Sequence, residues 1–255
     1  MGLNPTKGNM YEFITHTWNT VKGKCLHNCS YCYMKKYNKD LPDIHLDSDE
    51  LKTDLGEGRF IFVGSSIDLF AEDIPEDWIL RTLDHCYNAN NILFGKKNRY
   101  MFQSKNPKRI LDFIKHPVFQ DSVICTTIET NKWIPKVMNG SPQIEDRVSA
   151  MEEISKLGFK TYVTAEPLMD FDLEKMIEYI RRCNPVQVNF GKNTNKKVQI
   201  PQPKGEEGRS KIKKLIEEVA KFTDQVVIKK NLFNTRKRSG IINALKNKSL
   251  SEKDN

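Results

Sequence analysis

Three cysteines, Cys25, Cys29 and Cys32, fall within eight positions in the stretch KGKCLHNCSYCYM. Thiolates spaced C-x3-C-x2-C on one short segment can reach a single ion or cluster together, and two kinds of site compete for them. A structural zinc takes four ligands and usually draws on two C-x2-C units. Cys29 and Cys32 form one such unit and there is no second, so zinc would need Cys25 and a recruited histidine such as His27 or His16. The alternative is an iron–sulfur cluster, which thiolates bind naturally. A cubane held by three cysteines leaves one iron without a protein ligand, and that iron is where chemistry can occur. The remaining cysteines, Cys86, Cys125 and Cys183, are scattered through apolar segments and read as small buried hydrophobes.

A loop of this kind has to be held by the elements around it. The run YEFIT (11–15) reads as a first strand directly before the cysteines. Six more short β-branched or aromatic runs follow: RFIFV (59–63), RYMFQ (99–103), SVICTTI (122–128), KTYVTA (160–165), VQVNF (186–190) and QVVIK (225–229). Between them lie helix-period segments. Residues 77–86 place Trp78, Ile79, Thr82, Leu83 and Cys86 on one side. Asn106 and Pro107 read as N-cap and first helical position, and Ser141 and Pro142 do the same for 143–157, which Gly158 stops. Residues 172–182 and 210–222 are two further amphipathic helices. Such alternation predicts an α/β fold with a mainly parallel sheet, as a barrel, partial barrel or doubly wound sheet. In each of these, sites form at the carboxyl ends of the strands, where the cysteines would sit.

The C-x3-C-x2-C motif, with Tyr31 just before its third cysteine and a strand–helix series behind it, resembles the radical S-adenosylmethionine (SAM) superfamily. More loosely, FVGSSIDLF, FQSKNP, CTTIETN and GFKTYVTAEPLMD resemble a phage-associated group of radical-SAM proteins and the spore photoproduct lyase branch. The resemblance implies a partial (β/α)6 barrel over residues 1–233, with a cluster loop at 23–34 and a short basic tail at 234–255. It implies a [4Fe–4S] cluster on the three cysteines, with SAM chelating the fourth iron. An external one-electron reductant would drive cleavage of SAM to methionine and a 5′-deoxyadenosyl radical that abstracts hydrogen from a substrate. By position, Ser65, Ser66, Asp68, Lys105 and Thr127 match residues that hold SAM in the lyase branch. Ile67 departs from that pattern, as does GSS in place of a Gly-Gly-x-Pro turn. The lyase's cysteine hydrogen donor has no counterpart either, which argues against thymine-dimer repair itself.

Elementary chemistry gives these positions roles independently. Asp68 or Glu129 can accept from the ammonium or ribose of SAM, Lys105 can meet its carboxylate as a point charge, and Tyr31 can offer adenine a flat face. Glu166, before Pro167, ends a strand, whereas Arg147 lies on an amphipathic helix where a solvated charge is the default.

The 255 residues carry a net charge of +8, unevenly placed. Residues 192–214 hold eight Lys/Arg against two acids, and residues 229–255 the same, so each segment is +6. A basic segment after the sixth strand would face the site and attract phosphates, which favours a nucleic acid base or nucleotide as substrate. A peptide or partner protein is the second reading, and a non-enzymatic iron–sulfur or zinc module that binds nucleic acid is the third. No apolar run approaches the roughly 20 residues of a membrane span, and the first ten residues lack a signal-peptide core, so the expected location is the cytoplasm. The tail from about residue 234 reads as an added helix that frays.

Overall fold

Alternation of short buried runs with amphipathic stretches produces one nine-stranded sheet. The computed structural model describes residues 2–7, 11–36, 40–91, 93–195, 197–233 and 240–243. In chain order the elements are β1 (Asn4–Pro5), β2 (His16–Trp18), β3 (Val21–Lys22), β4 (His45–Leu46), β5 (Phe60–Val63), α1 (Glu76–Asn88), β6 (Arg99–Ser104), α2 (Pro107–Phe113) and β7 (Ser122–Thr127). They continue with α3 (Pro135–Met138), α4 (Ile144–Lys156), β8 (Thr161–Ala165), α5 (Leu173–Arg182), β9 (Gln187–Phe190), α6 (Gly205–Ala220), β10 (Gln225–Ile228) and β11 (Gly240–Asn243).

The sheet order is β1-β2-β5-β6-β7-β8-β9-β10-β11, parallel from β2 to β10 and antiparallel at the two outer strands. Six crossovers join the seven parallel strands, the pattern of a partial (β/α)6 barrel. The first crossover is unlike the rest: it carries the cysteine loop and the small β3–β4 ladder in place of an α-helix. Central strands such as β7 are buried along their whole length, which is why they read as continuous apolar runs.

Two apolar clusters result. The larger lies between the sheet and its helices, around Trp18, Phe70, Phe102 and Phe171. The smaller fills the inner face of the curved sheet with Tyr11, Ile14, Phe60, Phe62, Met101, Val123, Cys125 and Tyr162. Cys86, Cys125 and Cys183 are fully buried, in keeping with a packing role.

Three local expectations need correction. Residues 11–15 are not the first strand; pairing begins at His16, and Tyr11 and Ile14 are buried because they plug the inner face. Ser141 does not cap α4, which starts at Ile144 behind Gln143. Residues 240–243 form a strand against β10 where a helix was expected, and residues 234–239 and 244–255 lie outside the described residues.

Candidate active site

The cysteine loop leaves the carboxyl end of β2 and is closed by its own turns. The Asn28 N–H donates to Cys25 O at 3.1 Å, the Cys32 N–H to Cys29 O at 3.2 Å and the Lys35 N–H to Cys32 O at 3.2 Å. Gly23, with φ +116°, admits the loop: a Cβ there would lie 2.5 Å from the Asp43 carbonyl oxygen. The α3–α4 connection packs on the other side, through Ser30 N–H to Val137 O at 2.9 Å and Gly140 N–H to His27 O at 3.1 Å. Its Ser141 hydroxyl sits 3.1 Å from the Cys29 sulfur. Cys29 is buried, and Cys25 and Cys32 are partly exposed. Burial, then the Asp68 carboxylate, pushes the Cys25 thiol up to about 12, so loading with metal must remove its proton.

Beside this loop lies a fully buried carboxylate, Glu129, just beyond β7. One of its oxygens accepts from the Tyr31 hydroxyl and from Lys105 Nζ at 3.0 Å; the other accepts from Arg147 Nη1 at 2.8 Å. Lys105 Nζ also stands 5.2 Å over the Tyr31 ring. Burial alone would raise the Glu129 pKa, but Arg147 and Lys105 outweigh it and bring it down to about 2. Arg147 is held further by the Thr127 and Pro142 carbonyls at 2.9 and 3.0 Å. Two cations and one carboxylate leave an excess of one positive charge here, and Lys105 acts electrostatically on Cys29.

Asp68 ties the loop to the sheet. Its Oδ2 accepts from His27 Nε2 at 2.8 Å and from the Lys105 N–H at 2.7 Å, and its Oδ1 accepts from the Phe70 N–H at 3.1 Å. Burial would raise its pKa, yet His27, the Lys105 N–H and the Ser104 hydroxyl hold it below the usual carboxylate range. His27 directs Nε2 to Asp68 at 2.8 Å and turns Nδ1 towards the Gly140 carbonyl oxygen at 3.4 Å. His16 lies at the opposite, amino end of β2. The donor set is therefore three thiols and no imidazole. It fits an iron–sulfur cubane, whose three thiolates make it an anion, with the buried cations Lys105 and Arg147 close by. As the chain stands, no three His, Cys, Asp or Glu side chains among the described residues converge closely enough to grip a bare ion.

Ser65 and Ser66 are placed one loop away. Gly64, with φ +77°, turns the chain out of β5, and Asn19 Oδ1 accepts from Ser65 Oγ at 3.2 Å and the Ser66 N–H at 2.8 Å. The Tyr33 hydroxyl donates to Ser65 O at 2.5 Å, joining this turn to the cysteine loop. Ile67 is core. Thr127 turns its hydroxyl to a separate polar layer on the inner face, accepting from Gln103 Nε2 at 3.2 Å. In that layer Tyr11 donates to Gln103 or Thr164, each at 3.1 Å, and Glu166 pairs with Lys229 at 2.6 Å. Burial raises the Glu166 pKa against the pull of Lys229.

The structure thus gathers Tyr31, Lys105 and Glu129 at the cysteine loop, links Asp68 to them through the Lys105 backbone, and leaves Thr127 and Glu166 on another cluster. Arg147 is the main correction. It is fully buried and ion-paired, and its position three residues after Ile144 and four before Met151, on the apolar stripe, was the available signal. Asn19 and Ser141 gave none beyond their polarity.

No protein-family model and no curated protein matches the sequence. Solved structures do resemble it. A cysteine-to-serine mutant of spore photoproduct lyase shares 13% identity at a TM-score of 0.55, over 72% of this chain and 57% of that one. A cysteine-to-alanine mutant with dinucleoside spore photoproduct gives 11% and 0.54, over 85% and 65%. A tyrosine-to-phenylalanine mutant gives 12% and 0.55, over 87% and 66%. The chain spans less than two thirds of the length of each, and at these identities what it has in common with them is the fold.

Proposed function

We propose that the chain is a radical-SAM enzyme that carries a [4Fe–4S] cluster on Cys25, Cys29 and Cys32. The observation that carries this reading is the thiol-only donor set on one loop at the carboxyl end of the first parallel strand, beside the buried cations Lys105 and Arg147. When bound and reduced by an external one-electron donor, the cluster and SAM supply reductive cleavage to methionine and a hydrogen-abstracting 5′-deoxyadenosyl radical. The chain's own work is to bind, orient and keep water out. Lys105 uses one of its three donors on Glu129, so an ammonium proton remains for an anionic oxygen of SAM. Asp68 acts by fixing His27 and the Lys105 backbone, and Tyr33 and Asn19 set the Ser65–Ser66 turn as a further polar wall.

Anaerobic reconstitution with iron and sulfide, followed by SAM and dithionite, should yield 5′-deoxyadenosine. Reconstituted protein that forms none would overturn the reading. Lys105→Ala should keep its iron while SAM affinity falls by about 10–150-fold, the worth of one charge-assisted hydrogen bond of roughly 1.5–3 kcal/mol. Wild-type affinity would show that Lys105 serves Glu129 alone.

For the substrate we favour a nucleic acid base or nucleotide. The solved lyase carrying a dinucleoside photoproduct supports this by its fold, and the basic segment supports it by its place. Residues 192–195 leave the carboxyl end of β9, the same end as the cysteine loop, with Lys197 exposed. Lys196 lies outside the described residues. Binding of a single-stranded oligonucleotide, followed by fluorescence anisotropy from about 50 to 300 mM salt, should weaken with a log–log slope of about −0.7 per phosphate contact. Neutralising Lys192, Lys196 and Lys197 together should flatten that slope. Salt-independent binding would turn the reading to peptides, and none at the lowest salt would remove nucleic acid polymers and leave free nucleotides and peptides. No described helix is long and apolar enough to cross a membrane.

A further inference from the structure

From Lys22 to Lys39 the chain carries five lysines and no acidic residue, and this is the stretch that holds Cys25, Cys29 and Cys32. Lys22 is committed to Asp47 at 2.6 Å and Glu50 at 2.9 Å. Lys24 and Lys35 stand exposed, one before the first cysteine and one after the last.

Contacts within the loop join these charges to a third. Lys35 Nζ turns back to donate to Asn28 O at 2.9 Å, and the Asn139 side chain donates to the same carbonyl at 2.7 Å from just beyond α3. That short helix carries Lys136, which is also exposed. Two exposed acids, Asp40 and Asp43, follow on the return to β4. Asp43 lies 3.6 Å from Lys24, with side chains 96% and 65% exposed, a contact worth little in water. Lys35 and Lys136 have no acidic partner among the described residues. Between Lys24 and Asn28, Leu26 presents an apolar side chain that is 47% exposed. Cys25 and Cys32 are partly exposed on the same loop, so whatever covers it stands against two of the three thiols.

An apolar centre inside a polar rim is the anatomy of a protein contact, and cations without acids select a partner of opposite sign. A nucleic acid strand is drawn to cations too, but Leu26 offers a base no flat face, and the Tyr33 hydroxyl is tied to Ser65 O. We propose that this face docks a small acidic protein that carries single electrons, with Leu26 at the centre of the contact and Lys24, Lys35 and Lys136 around it. The inference rests on the cluster reading above and names the partner that serves it. The reduced carrier loses one electron, the bound cluster gains it, and no bond or proton changes hands. Electron-transfer contacts are small, under about 1,200 Å², so unpaired charges that raise the encounter rate suit them.

The test uses the reconstituted full chain, with an acidic plant-type [2Fe–2S] ferredoxin as probe and the basic protein cytochrome c as its opposite. Calorimetry at about 10 mM salt should show the oxidised ferredoxin binding and cytochrome c not. Ferredoxin affinity should fall as salt approaches about 1 M, because the reach of a charge drops from roughly 30 Å to roughly 3 Å. The triple variant Lys24→Glu/Lys35→Glu/Lys136→Glu should weaken binding, and slow reduction of the cluster by reduced ferredoxin, by about tenfold or more. Leu26→Ser should weaken binding without changing its salt dependence. In both variants iron content and 5′-deoxyadenosine formation with dithionite should match wild type. The same reversal at Lys115, Lys160 and Lys213, exposed elsewhere, should change neither binding nor reduction.

The proposal is overturned if ferredoxin does not bind at low salt, or if the control reversal weakens it equally. Loss of oligonucleotide rather than ferredoxin binding in the first variant would overturn it too and give the face to the substrate. A chain that takes up no iron and forms no 5′-deoxyadenosine with dithionite would overturn the cluster reading and this inference with it. Failure of the ferredoxin arm alone would leave the cluster reading standing.

Discussion

Replacing Glu129 with glutamine should lower folding stability by about 3–5 kcal/mol, the range for removing one member of a buried ion pair. The loss is large because, among the described residues, Glu129 is the one carboxylate paired with the side chains of both Lys105 and Arg147, and without it two buried cations face each other. Arg147→Met should cost less. Lys105 still neutralises Glu129 in that variant, and the change also removes Arg147 Nη2, which has no hydrogen-bond partner among the described residues. The double variant Glu129→Gln/Arg147→Met should recover part of the single loss, and denaturant unfolding of all four proteins reads the coupling. The same carboxylate sets an acid limit. Its pKa falls from 4.5 to about 2 on folding, so its contribution is complete above pH 4.5 and is lost as pH drops towards 2. That amounts to about 3 kcal/mol, and wild-type stability should fall more steeply than that of Glu129→Gln across this interval. Parallel curves would show that the pair is not the source.

Alanine at Cys25, Cys29 or Cys32 should abolish the cluster outright, whereas alanine at Cys86, Cys125 or Cys183 should leave it intact. Reconstituted wild type should hold about four irons per chain and absorb near 400 nm by thiolate-to-iron charge transfer, roughly as such clusters do. The contrast is sharp because the second set is packed into the apolar interior and the first shares one turn-closed loop. Any iron-loaded variant from the first set, or loss of iron in the second, would move the site elsewhere. Stoichiometric zinc that resists iron would restore the reading that His27 is a ligand, through an Nδ1 that in this structure faces the Gly140 carbonyl oxygen.

Much of the frame was legible because burial and period agree. The stripe at 77–86 became α1, 172–182 became α5, and the six runs after the cysteines are strands within a residue or two. Where burial and pairing part company, the sequence misleads. Tyr11 and Phe13 have the aromatic signature of a strand, yet they pack across the inner face onto Phe60, Phe62 and Tyr162, and pairing starts only at His16. The helix expected at 210–222 starts at Gly205, with Glu206 and Glu207 favourable in its first turn. For the site, residue types named Tyr31, Lys105 and Glu129 but not their mutual bonds. Periodicity reports which face a residue occupies, not which partner neutralises it, and so Arg147 looked like a surface charge.

The two antiparallel outer strands have a bearing on how the molecule survives in a crowded solution. Parallel strands end in a bare row of amides and carbonyls, and β10, with Val226 and Val227, is the sort of rim onto which a foreign strand would zip. β11 occupies that rim in register from Gly240 opposite Ile228 to Asn243 opposite Gln225. At the other rim β1 does the same for β2, and its Pro5 lacks the N–H that a newcomer would need. A chain cut before Gly240 would keep its cysteines and its buried ion pair, yet carry an adhesive border, so its fate would be set by self-association.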